Sequence, residues 1–77
     1  MIEPNPPHHA NQFKGTRLKE IRNKSGLNQT QLAGKICSNK TTISKLEQNR
    51  IRPTTIIEES LTDFFKVEKD YFRRNNG

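Results

Sequence analysis

The chain lacks tryptophan, holds one tyrosine and one cysteine, and has no apolar run long enough to cross a membrane. Each shortage excludes something. A lone Cys37 cannot close an intrachain disulfide, which removes the disulfide-stapled secreted scaffolds. The few aromatics fit core positions, so the exposed stacking platform of RNA-reading modules is missing. The opening "MIEPNPPHHANQ" is proline-rich and polar and does not read as a signal peptide; a soluble cytoplasmic protein is the expectation. Catalytic groupings are missing too: His8 and His9 stand side by side in that opening, and the carboxylates are dispersed. No enzyme activity is expected. Nothing near the two histidines supplies further ligands, so no metal site is expected either, and no cofactor.

The last shortage is of acid, and it is local. Residues 14–52 carry ten Lys or Arg against only Glu20 and Glu47, a local charge of +8. Residues 53–77 carry four basic against five acidic side chains, a local −1. A positive half beside a near-neutral half suits a polyanionic partner, because each neutralised phosphate releases counterions. The alternative is a merely solubilising surface.

At 77 residues the chain is one small domain, and such a domain buries only about 60% of the surface its unfolded chain exposes. Residues 1–12 contain three prolines and no apolar period, and read as a flexible arm. They carry no Lys or Arg, so wrapping around a polyanionic partner is not expected of them. Residues 13–73 hold the helical pattern, and 74–77 form a tail. Phe13, Arg17 and Ile21 at i, i+4, i+8 predict a first helix from near Phe13 or Gly15 to Ser25, stopped by a left-handed Gly26. Asn28 with Gln31 makes a capping box for a second helix over 29–36, and Leu27 with Leu32 has staple spacing. "CSN" leaves room only for a tight turn. Asn39 then caps a third helix over 40–48, with Ile43 and Leu46 inward and Asn49 able to end it in the left-handed region. After Pro53, Thr55 with Glu58 reads as another capping box, and Ile57, Leu61, Phe64 and Phe65 as an apolar stripe. A short fifth helix near Lys69–Arg73 would dock Phe72, with Val67 packing before it. The pattern is all-α.

On the third helix, Thr41, Lys45 and Gln48 lie opposite Ile43 and Leu46, with Ser44 on the shoulder and Lys40 in the first turn. That strip has donors and small hydroxyls and no carboxylate. Lysine donates to guanine O6 or N7, while threonine bonds a base edge or touches a thymine methyl. The helix N-termini near Gln29 and Lys40 offer backbone amides to phosphate oxygens. A solvated helix face is the alternative reading.

"RLKEIRNKSGLNQTQLAGKICSNKTTISKLEQNRIRP" resembles the helix-turn-helix domain of the lambdoid-phage repressor and Cro family, also called the XRE family, over roughly residues 13–72. Gln29 opens the second helix, Leu32 and Ala33 sit at the crossing, Ile36 precedes the turn, and Ile43 and Leu46 anchor the third helix. The resemblance implies a five-helix, lambda-repressor-like fold in a bacterial or phage-encoded protein. It implies that the second helix crosses the DNA backbone and the third enters the major groove. Lys40, Thr41 and Lys45 then fall at base-reading positions, with Ser44 assisting. Asn28, Gln29, Gln48 and Arg50 fall where the family contacts phosphate, and the charge of Arg52 in the adjoining linker adds it to that set. Arg22 and Glu47 match a buried ion pair that ties the first helix to the third in some members.

There are departures. Cys37 and Ser38 replace the glycine and valine common at the turn, so either the turn differs or Cys37 accepts a left-handed backbone. A buried structural thiol is expected there. Glu58 stands where leucine is frequent, leaving the register of the fourth helix open. The function implied is a sequence-specific, double-stranded-DNA-binding transcriptional regulator, a repressor, acting as a homodimer on a palindromic operator. Its dimer contact is sought in the fourth and fifth helices around "FFKVEKDYF". The competing function is a protein-interaction module, such as an antitoxin-like regulator, whose main partner is another protein.

Overall fold

The computed structural model of the chain describes residues 12–74. The arm and its two histidines, except for Gln12, and the end of the tail lie outside them. The described residues form α1 (Gly15–Lys24), α2 (Gln29–Lys35), α3 (Lys40–Glu47), α4 (Thr55–Phe65) and a closing 3-10 turn (Tyr71–Arg73), with no strand among them. The expected fifth helix is therefore that single turn. Its bonds run three residues back, from Tyr71 N–H to Glu68 and from Arg73 N–H to Asp70, both 2.9 Å. Three residues cannot close an i→i−4 ladder. Phe13 also lies outside α1, because Lys14 is extended; its ring packs on Phe72 at 5.2 Å between centroids.

All four helices stop by one device. Gly26, Cys37, Asn49 and Lys66 follow them with φ of 74°, 57°, 60° and 58°. In each case the next residue donates its N–H back to the helix: Leu27 to Arg22, Ser38 to Ala33, Arg50 to Lys45, and Val67 to Thr62. These are Schellman closures, which satisfy carbonyls the helix end leaves bare. Cys37 thus accepts the left-handed backbone. Its thiol is exposed rather than buried, a correction that follows from its place in the turn beyond the end of α2.

The starts are capped by side chains. Asn28 and Gln31 form the reciprocal capping box, and Asn39 accepts from Thr42 N–H at 2.8 Å. For α4 the cap is Thr54, whose Oγ1 accepts from Ile57 N–H, and not Thr55. Pro53 restricts the preceding residue rather than Thr54, so Thr54 is free to take the extended conformation a cap requires. Glu58 is consequently no capping residue. It is buried at 8% exposure and receives two hydrogen bonds from Arg73, at 2.8 and 2.7 Å.

Leu18, Leu32, Ile43, Leu46, Leu61 and Phe72 are sealed from solvent and form the centre of the core. Burying each such side chain contributes about 1.5–3 kcal/mol. Ile57 and Phe65 are half-buried beside it, as are Leu27 and Val67, whereas Phe64 is exposed and leaves the expected stripe. α3 is the hub: α2 and α1 both pack against it, and the 3-10 turn packs on α1.

Candidate nucleic-acid interface

The outer strip of α3 is aimed by what lies beneath it. Glu47, in the last turn, accepts from Arg22 Nε at 2.5 Å and from Arg22 Nη2 at 3.0 Å. The third donor of that guanidinium, Nη1, goes to the Leu27 carbonyl at 2.9 Å. One side chain thereby ties α1, the α1–α2 linker and α3 together. Hydrogen bonding to Glu47 holds the Arg22 guanidinium pKa above its ordinary value, against burial, which pulls it down. Gln29 adds a third arm: its amide donates to Glu47 Oε1 at 3.0 Å, fixing the start of α2 to the end of α3. The carboxylate nearest the strip is thus fully engaged below it.

On the outside, Lys40, Thr41, Lys45 and Gln48 are exposed and Ser44 is half-buried. Gln48 Nε2 donates to Ser44 Oγ at 2.9 Å, a bond that uses neither the serine hydroxyl hydrogen nor the glutamine carbonyl. These five residues and Arg50 line one open depression that holds three cationic side chains and no carboxylate. Arg50 is delivered there by the α3 closure, since its N–H is the one bonded to the Lys45 carbonyl at 2.9 Å. Of the other expected phosphate ligands, Asn28 spends its Oδ1 on the α2 cap, Gln29 spends its amide on Glu47, and Arg52 stands exposed in the linker. None of those three lines the depression.

A helix crossing a second helix through Leu32, Ala33, Ile43 and Leu46, with a tight turn between them and a cationic outer strip, is the architecture of one group of proteins. A family model described as helix-turn-helix matches residues 18–72. The chain belongs to the XRE-type, Cro/C1-like helix-turn-helix family. That is a family of DNA-binding transcription regulators. No curated protein and no solved structure matches the chain.

In this helix-turn-helix, α2 and α3 are the paired helices, and the turn is Ile36–Asn39. Among the described residues no group of three or more His, Cys, Asp or Glu is placed to hold a metal, and no helix is long and apolar enough to cross a membrane. Two supporting contacts were not legible in the sequence. The Glu58–Arg73 pair joins α4 to the closing turn, and hydrogen bonding to Glu58 raises the Arg73 pKa. Gly15 admits the end of α3 so closely that a Cβ there would lie 2.2 Å from the Leu46 carbonyl oxygen. The sequence offers Glu58 only as a capping partner for Thr55 and as a departure from the leucine frequent in the family, and neither points to Arg73; Gly15 carries no such signal.

Proposed function

We propose that the chain is a repressor that reads a palindromic operator as a homodimer, with α3 and its C-cap Gln48 in the major groove. Lys40, Thr41, Ser44 and Lys45 read bases. Asn28, Gln29, Gln48, Arg50 and Arg52 meet phosphates, Asn28 through the amide its cap leaves unused and Gln29 through its backbone N–H at the start of α2. The observation that carries this reading is the carboxylate-free donor strip of α3, braced from below by Arg22, Glu47 and Gln29. A helix braced in this way holds its outer residues at a fixed spacing, which is what base discrimination requires.

Two copies follow from the size of the strip. One short helix reads few base pairs, whereas two related by a dyad place their reading helices about 34 Å apart and double the contacts. Repression needs only that the bound protein occlude a promoter. The setting proposed is the cytoplasm of a bacterium or a phage-infected cell.

Selection from a random-duplex library at near-physiological salt tests the reading. The expected result is an enriched motif of two inverted half-sites about one helical turn apart. Recovery of unenriched duplex, with binding that fades steeply as salt rises, would remove base reading and leave only phosphate contact. The function would then be sought in a protein partner.

A further inference from the structure

Within "FFKVEKDYF" most of the apolar side chains are taken up by the domain's own core. Phe65, Val67 and Tyr71 turn toward the core there, and Phe72 is sealed. The apolar surface lies instead along the outer face of α4. Ile56 is 75% exposed and Phe64 36%, and they stand eight residues apart, on one side of the helix with Ser60 between them. This face and the C-terminal end of α2, at Ile36, enclose an open apolar groove that shares no residue with the depression on α3.

We propose that a second copy of this chain docks on that groove about a two-fold axis; the inference rests on the homodimer reading above and names its surface. Charge selects the occupant. The lining carries two charged side chains of opposite sign, Lys35 on α2 and Asp63 on α4. In an isologous contact each patch meets itself, which lets Lys35 of one copy face the partner's Asp63, and that pairing then occurs twice. A strongly basic or strongly acidic partner would meet one of these charges as a like charge. The rest of the domain supports the same choice: residues 14–52 are at +8, so two copies repel over most approaches, whereas the exposed charges of α4 are Glu59 and Asp63, both acidic. Because the α3 strip is separate, a copy seated here leaves the reading surface open.

The test is sedimentation equilibrium of the full chain, free and on a duplex bearing two inverted half-sites, for wild type, Ile56→Asp, Lys35→Glu and Asp63→Lys. All three positions are exposed, and melting curves confirm that each variant folds. Each substitution is expected to weaken self-association about tenfold or more, as loss of a central apolar anchor or reversal of a paired charge does. Mixing Lys35→Glu with Asp63→Lys is expected to restore it, because the mixed pair regains both opposite-charge contacts. If wild type self-associates while Ile56→Asp and the charge variants match it, this surface is wrong and the homodimer stands. If wild type associates neither free nor on the duplex, the homodimer reading falls and this surface with it.

Discussion

Gly15 donates its backbone N–H to Asn49 Oδ1 at 2.9 Å, joining the first residue of α1 to the left-handed residue that ends α3. The contact exists because Gly15 has no side chain. A Cβ would meet the carbonyl oxygens of Leu46 and Glu47 at 2.2 and 2.5 Å, and backbone cannot swing aside as a flexible side chain can.

Gly15→Ala is therefore expected to destabilise the domain by about 1–3 kcal/mol, the usual cost of overpacking. Gly34→Ala is the control: it lies within α2, and a Cβ there meets nothing within 4 Å. That change is expected to stabilise by about 0.5–1 kcal/mol. Urea denaturation of both variants checks the pair, and similar effects at the two sites would refute the close approach.

The Arg22–Glu47 pair is nearly sealed, with side-chain exposures of 10% and 4%. Glu47→Gln leaves a buried guanidinium without its counter-charge and is expected to cost about 3–5 kcal/mol, while Arg22→Met with Glu47→Leu recovers most of that. The pH dependence has a definite sign. A folded-state arginine pKa raised above its unfolded value contributes stability at every pH below the unfolded value, lost only as pH climbs through the folded one. The gap in urea midpoint between parent and Glu47→Gln should thus stay constant from neutral pH into mild alkali.

Helix α4 begins on Thr54. Thr54→Ala is expected to cost about 1 kcal/mol of stability, and Thr55→Ala no more than a few tenths. Thermal melts rank the two, and the reverse order would move the helix start by one residue.

Cys37 holds φ of 57° at the turn. Cys37→Gly removes the steric cost of that conformation and is expected to stabilise by up to about 1 kcal/mol, with no change in DNA affinity. A destabilised variant in the same melts would mean that the thiol makes a contact worth more than the strain.

On DNA the two classes of contact separate by salt. Lys45→Ala is expected to cost about 1–3 kcal/mol on the selected operator and to relax preference at one or two base pairs. Arg50→Ala is expected to weaken all duplexes alike and to flatten the salt slope by about one unit. Competition binding with operator and scrambled duplexes distinguishes them; a changed base preference on Arg50→Ala would reassign that residue.

Most of the helical order was legible because its determinants are local. Apolar spacing marked α1 to α4, Asn28 with Gln31 marked the start of α2, and Gly26 and Asn49 marked two ends. Residues three or four apart on a helix are neighbours whatever the rest of the chain does. The sequence leaves the start of α4 ambiguous by one residue because Thr54 and Thr55 are chemically alike, and only the path of the chain after Pro53 selects between them. Hydropathy alone points Phe64 inward, although α4 has room for one such face and Leu61 and Phe65 fill it.

The sequence by itself thus determined an all-α chain, the order of its helices and the composition of the α3 strip. Tertiary structure alone decided that Gln29 reaches Glu47, that Arg73 reaches Glu58, that Gly15 reaches Asn49, and that Ile56 and Phe64 share an open face. The first three join residues 18, 15 and 34 positions apart. The physical reason is that such contacts depend on the angles at which helices cross, and those angles follow from packing the whole core at once rather than from any short stretch of chain.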